Sequence, residues 1–384
     1  MRHLPAETSE PRLTGDIPPL GDDTSETLRE CAKLAPFLGE ASEHFIANVR
    51  TRYSLLLLGE KALPVSVNEA EWGCSYVVSP FTHYITYCCA ELYLLRFPPL
   101  EWIFAGMIRG LGLLLRAGDI NRNVHVNNYL LSTNLYPELS GEEILAARDL
   151  LLRKFPSHAL IFRSVNTYPD EGMIKRFEAA GFQRVASRRL YIQDPTSNPV
   201  KRSKGYKQDH KLFATSGYSV DGPEKITPAD YPRILELYEL LYIKKYSELN
   251  PRFTLDYLSW AHSTGFLRIF VLRKEGRIDG VIGYYLRGSM MTTPLFGYDT
   301  KLPAKTGLYR FLSAILLDHA REQGLILNAS SGAAGFKRSR GGVGYSEFNM
   351  VYLRHLPVKR RMAWQLLTLV VNRLVLPVLV KLKL

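Results

Sequence analysis

Residues 295–352 constrain the fold more than any other stretch of the chain. They run Leu295-Phe296-Gly297-Tyr298-Asp299, a helix-length segment over 305–323, and Leu325-Ile326-Leu327-Asn328-Ala329-Ser330-Ser331-Gly332. The basic turn Gly335-Phe336-Lys337-Arg338-Ser339-Arg340 and a strand-like run over 347–353 close it. A strand, a helix, a strand, a turn and a strand in this order argue for a mixed α/β sheet.

The same alternation extends upstream. Residues 1–27 are rich in Pro, Glu and Asp without apolar periodicity and are predicted to be a disordered tail. A helix is predicted over 28–49, and a hairpin over 53–67 turning at Gly59-Glu60-Lys61. Ser79-Pro80 opens a helix reaching 95, since Ser caps and Pro is tolerated in the first turn. The next helix, 100–115, is apolar nearly all round, with Glu101 and Arg109 inside it, and reads as buried. Strands at 124–131, 158–165 and 183–191 alternate with helices at 141–154 and 170–180.

A Pro/Ser/Lys-rich link over 193–218 holds the densest basic run: Lys201, Arg202, Lys204, Lys207 and Lys211. Helices near 228–245 and 255–262 follow, then a hairpin over 267–286 turning at Glu275-Gly276. Both halves share the order hairpin, strand, helix, strand, helix, strand. The division predicted is a first lobe 28–194, a basic linker 195–218, a second lobe 219–357 and a C-terminal segment 358–384.

The second half resembles the FemAB-like branch of the GNAT-fold acyltransferases. The residues that carry the likeness are Tyr298-Asp299, Pro303, Gly324, the strand-end run Asn328 to Gly332, and Phe336-Lys337. In the first half, Ser164-Val165-Asn166 and the Gly181-Phe182 turn resemble the closing part of an ordinary GNAT lobe. The resemblance implies an α/β protein of two tandem GNAT-like lobes that transfers an acyl or aminoacyl group to an amine.

Asn328 stands where the family usually has Asp, and Gly307 stands alone where coenzyme A binders have more glycine. The resemblance therefore leaves the donor open among acyl carrier protein, acyl-coenzyme A and aminoacyl-tRNA. Amine acylation needs loss of a proton from the amine, donors for the tetrahedral oxyanion, and near-attack geometry. On that chemistry Lys337 is the candidate oxyanion or phosphate ligand, Asp299 the candidate base, and Tyr298 or Tyr309 candidate proton donors. Asn328, Ser330, Ser331, Arg338 and Arg340 are the candidate substrate-binding residues. Asp299 as a turn cap and the basic turn as a solvated surface are the structural alternatives. His83, His125 and His319 lack metal-ligand spacing.

Net charge is +12, although the first thirty residues set seven acids against three bases. So basic a body suits an anionic partner: a phosphorylated carrier, a lipid surface, or tRNA as donor. Lys359-Arg360-Arg361 precedes an apolar run with Trp364 that Asn372, Arg373 and Pro377 interrupt. That composition suits either the membrane interface or a terminal helix packed on the second lobe. Four cysteines without a CxxC, and no apolar signal core after Met1, point to a reduced cytoplasmic setting, peripheral on the inner membrane face if the C-terminal segment is interfacial. Two rival functions remain at this point. One is an aminoacyl-tRNA-dependent cell-wall peptide transferase, and the other a non-catalytic GNAT-fold protein that binds anionic lipid or polysaccharide.

Overall fold

The computed structural model describes residues 10–197, 200 and 203–382. One twelve-stranded sheet runs through the molecule in the order β1-β2-β3-β4-β5-β12-β6-β11-β10-β9-β8-β7. In the first half the strands are β1 (Arg12–Thr14), β2 (Arg52–Leu58), β3 (Lys61–Asn68), β4 (Asn123–Val126), β5 (Ala159–Asn166) and β6 (Gln183–Gln193). In the second they are β7 (Ser219–Asp221), β8 (Arg268–Lys274), β9 (Arg277–Arg287), β10 (Met290–Tyr298), β11 (Ile326–Asn328) and β12 (Val343–Tyr352).

The order is a two-fold repeat read from both ends inward. Each strand of the first half has its counterpart six places later, and the parallel pairs, β4–β5 and β10–β11, are counterparts. At the centre the halves exchange their last strands. β12 pairs with β5 of the first half, β6 pairs with β11 of the second, and β6 and β12 pair with each other from Val343–Ile192 to Val351–Gln183. Strand pairing thus crosses the predicted boundary between lobes, and each half completes the sheet of the other.

Local chemistry sets many of the elements. The β8–β9 turn puts Glu275 and Gly276 both at positive φ, which a two-residue hairpin with right-handed strand twist requires. Helix α6 (Gly141–Lys154) starts from a capping box in which Ser140 and Glu143 satisfy each other's backbone N–H. Gly297 in β10 lies so close to the helix α9 (Tyr231–Tyr238) that an added Cβ would sit 2.5 Å from the Leu237 carbonyl carbon.

Several expectations are corrected. Part of the predicted tail is ordered, because β1 pairs with β2 and α1 (Glu26–Ala32) begins at a Ser25 cap; residues 1–9 lie outside the described residues. The helix expected over 28–49 is instead α1 followed by α2 (Ala35–Gly39) and α3 (Ser42–Phe45), broken where Pro36 and Gly39 interrupt it. The link between halves contains a helix, α8 (Lys204–Ala214), capped by Ser203; Lys201 and Arg202 lie outside the described residues. Helix α5 (Pro98–Ala117) is not buried: Gly112 and Leu115 are the buried residues it contributes.

The C-terminal segment forms α13 (Val358–Val370), a π-helical turn over Val371–Val375 and α14 (Leu376–Leu382). Its inner side is core: Trp364 and Leu367 are buried in the apolar cluster of the first half, and the helix that carries them packs against α5 and β6. Asn372 binds the β6 backbone through Ala186 N–H at 2.7 Å and Arg184 C=O at 2.8 Å. The segment therefore packs mainly on the first half and on β6, not on the second lobe.

Candidate active site at the junction of the two halves

β10 and β11 run side by side only for Met290–Ile326, Met291–Leu327 and Thr292–Asn328. Past that pair they part. β10 continues along β9 with a register shift between Thr292 and Leu295, while the chain after Asn328 follows β6, Ala329 N–H donating to Tyr191 C=O at 2.9 Å. Two neighbouring strands that diverge leave a notch in the sheet. Asn328 stands at its apex, 1% exposed. Its Oδ1 accepts from Ser330 N–H at 3.0 Å, and its Nδ2 is buried with no hydrogen-bond partner among the described residues. Thr293 Oγ1, on the shifted part of β10, is likewise buried and unpartnered. A buried donor left unpaired costs free energy that a bound group can relieve.

Lys337 lies in the short helix α12 (Ala334–Arg338), after a loop whose Ser330, Gly332 and Ala333 all have positive φ. Its Nζ donates to three carbonyls, Ala329 at 2.5 Å, Ser331 at 2.7 Å and Ser330 at 3.2 Å. An ammonium has three N–H donors, so all are taken. The oxyanion role expected of Lys337 is therefore corrected: it ties down the loop that follows β11. Burial, and to a lesser degree Arg188, pushes its pKa down to about 7. Ser331 enters this arrangement through its carbonyl. Ser330 reaches the other half, its Oγ 3.1 Å from Thr133 Oγ1.

Asp299 is also corrected. Its carboxylate accepts from Arg233 Nη2 at 2.8 Å and from Lys301 N–H at 3.0 Å. Burial raises its pKa, but these donors outweigh it and hold the carboxyl below its usual range. A carboxylate so engaged is a poor base, and Asp299 is a turn anchor. Arg340 makes a two-pronged pair with Asp209 of α8, at 2.5 and 2.9 Å, and lies over the Phe336 ring, so it braces α12 and is not free to bind substrate. Arg338 is more exposed and donates to Tyr191 OH at 2.9 Å.

Tyr298 and Tyr309 come together with Phe296 and Phe336. Tyr309, in the first turn of α11 (Leu308–Glu322), has ring contacts of 4.7 Å to Phe336, 5.4 Å to Phe296 and 6.2 Å to Tyr298. Burial and the neighbouring Tyr246 and Tyr298 raise the Tyr309 pKa, so it stays a neutral phenol. Tyr298 OH accepts from Lys245 Nζ at 3.1 Å. Gly307 begins α11 at φ 87, where a Cβ would stand 2.8 Å from Leu212 of α8. No side chain caps this helix start, so its first N–H groups are available to an anion.

Residues that sequence reasoning missed lie where β6 and β12 pair, linked through Thr133 to the loop after β11. Arg188 of β6 pairs with Glu347 of β12, Nε to Oε1 at 2.9 Å and Nη2 to Oε2 at 3.2 Å. Its Nη2 also donates to Thr133 Oγ1 and Ser132 C=O, each at 2.7 Å, which links it through Thr133 to Ser330. Ser187 Oγ donates to Glu347 at 3.2 Å and lies 3.2 Å from His83 Nε2. Burial, then Arg163 and Arg188, pushes the His83 pKa down to about 3, so the ring is neutral. Tyr76 sits 5.9 Å from His83 and 5.6 Å from Tyr87. Tyr242 of the second half has its pKa raised by burial and by the neighbouring Tyr246, Tyr76, Tyr309 and Tyr87, so this tyrosine cluster draws on both halves. Polar and aromatic groups from both halves thus surround the junction. One signal was available: Glu347 is the only acid after Glu322.

Residues 201–338 match the family model described as an acetyltransferase (GNAT) domain. The second half carries a GNAT domain. The match ends at Arg338, before β12, the strand that this GNAT domain gives to the first half. No curated protein matches the chain. Among solved structures, the chain is similar to a tandem GNAT protein of the clavulanic acid biosynthesis pathway, at 12% identity and TM-score 0.39, covering 89% of this chain and 98% of that one. It is also similar to FemX, at 10% identity and TM-score 0.45, covering 59% and 78%. L-PGS from Bacillus licheniformis is similar at 18% identity and TM-score 0.44, covering 59% and 79%.

Proposed function

We propose that this protein is an acyl- or aminoacyltransferase of FemAB-like type that acts on an amine. Its donor carbonyl would sit at the notch between β10 and β11, and its acceptor would enter from the tyrosine-lined junction. The observation that carries this reading is the unpartnered Nδ2 of Asn328 at the apex of the notch. A preorganised amide N–H in a dry site stabilises charge that develops on a carbonyl oxygen far better than water does. Tyr309, a neutral phenol in the first turn of α11, is suited to donate a hydrogen bond to a thiolate leaving group. Glu347 is occupied by Arg188 and His83 is barely basic, so the amine proton is best passed to water or to the substrate itself. The protein's contribution is then positioning and oxyanion stabilisation.

The donor favoured is a large anionic carrier such as acyl carrier protein, with aminoacyl-tRNA as the other candidate. Lys204, Lys207 and Lys211 are exposed along α8, which packs against the start of α11. The uncapped α11 start is a place for a phosphate. The acceptor class that fits is an amine on a lipid, sugar or amino-acid precursor. Calorimetric titration with acetyl- and long-chain acyl-coenzyme A at two salt concentrations tests the donor. Weak binding of both is expected, whereas tight binding indifferent to salt contradicts the carrier. A steep loss of tRNA affinity with salt would select aminoacyl-tRNA instead.

A further inference from the structure

We infer that α5 and the C-terminal helices form one face that docks on an anionic lipid bilayer. This rests on the surface of the first half and not on the chemistry at the notch. In α5, Trp102 is 81% exposed, Leu113 71% and Met107 62%, and Ile103 and Leu114 are more than half exposed. Scattered apolar residues on a surface are ordinary, but a run of large ones along one helix is not. Helix α13 packs beside α5, so close that a Cβ on Gly118, the residue ending α5, would meet Ala363 at 2.3 Å. Beyond its buried Trp364 side, the C-terminal segment turns Met362, Leu369, Leu374 and Val378 outward, each more than half exposed.

Charge selects the occupant. After Glu347 the chain holds seven lysines and arginines and no acid. Lys359, Arg373 and Lys381 are exposed among the outward apolar residues, and Arg109 lies on α5. A groove of about 410 Å³ beside α5 is lined by Leu92, Tyr93, Glu101, Trp102, Ala105 and Arg109 among others; Glu101 answers Arg109 there, so the selecting charge is that of the C-terminal segment. Apolar residues with a tryptophan and flanking bases suit the boundary between headgroups and acyl chains. A symmetric dimer through this face would bring the basic segments of two copies together with Glu101 the one acid of α5 to answer them. No helix among the described residues is long and apolar enough to cross a membrane, so the contact is interfacial.

The test uses the full-length protein with vesicles of phosphatidylcholine alone and with phosphatidylglycerol added. Binding is expected to rise at least about tenfold with the anionic lipid, and brominated acyl chains should quench Trp102 fluorescence. The exposed-site double variant Trp102→Ser/Met107→Ser should melt as wild type and lose at least about tenfold in vesicle binding. Lys359→Glu/Arg373→Glu should remove the preference for anionic lipid while leaving the melt unchanged. Vesicle binding by Trp102→Ser/Met107→Ser equal to wild type overturns the inference. So does wild type that ignores vesicles and sediments as a dimer that this variant dissociates.

Discussion

Arg188 and Glu347 face each other across the register of β6 and β12, the two strands that the halves exchange, and join them by a two-pronged ion pair at 2.9 and 3.2 Å. Burial alone would lower the Arg188 pKa, but Glu347 outweighs it and holds the guanidinium charged. Glu347→Gln leaves that charge buried without its counter-ion and is expected to cost about 3–5 kcal/mol. Arg188→Met/Glu347→Met, which removes both charges, should cost less. Urea midpoints of the three proteins check it, and equal destabilisation by the single and double changes would contradict the pair's role.

Lys337 gives a pH dependence with a definite sign. Its folded pKa, about 7, lies below its unfolded value of 10.5, so between these pH values the unfolded chain binds more protons. The charged lysine therefore weighs against folding below about pH 7, and the penalty is relieved as pH rises toward 10.5. Lys337→Met removes this ionisation. Wild type should gain stability relative to Lys337→Met between pH 7 and 9, measured as paired melting curves; a constant difference would mean that the ammonium is not desolvated.

Asp299→Asn separates anchor from base. Weakening the bond to Arg233 should cost about 1–3 kcal/mol of stability. Transfer per folded molecule, assayed at a temperature where the variant is fully folded, should stay within about twofold of wild type, because one general base is worth roughly 10²-fold or more. A loss of that larger size would restore Asp299 as the base.

The C-terminal segment is predicted to be indispensable to the fold. Trp364 is 1% exposed in the first half's core, and Trp364→Ala should cost about 3–5 kcal/mol. Deleting residues 362–384 should abolish the cooperative melt. A truncated protein that melts as sharply as the full chain would contradict the packing seen here.

Sequence chemistry made the local elements legible. Glu275-Gly276 marks its hairpin because both residues must take positive φ, and the Gly181-Phe182 turn is marked by Gly181, which at φ 90 ends α7 (Gly172–Ala179) in a left-handed conformation. The strand exchange was not legible, since β6 and β12 carry the same pattern whichever half they complete. Helix α5 misled because a sequence apolar on all sides reads the same whether the helix lies in the core or on the surface. At the candidate site, Asn328, Ser330, Lys337 and Tyr309 were singled out by residue type and position. What the polar side chains do depended on partners that residue type does not name: three carbonyls of the preceding loop for Lys337, and the distant Asp209 for Arg340 and Arg233 for Asp299. Arg188 and Glu347, 159 residues apart, become neighbours only once the strands cross.

The central claim is that the donor carbonyl lies at the notch beside Asn328. A photoreactive acyl-pantetheine thioester, carrying a diazirine next to the carbonyl and mapped by mass spectrometry after irradiation, tests it most directly. The probe stands for the arm shared by acyl carrier protein and coenzyme A. The account predicts labelling within 292–298, 307–311 and 328–337, suppressed in Asn328→Leu at a temperature where that variant is fully folded. Labelling confined to other segments, or unchanged in Asn328→Leu, would contradict it.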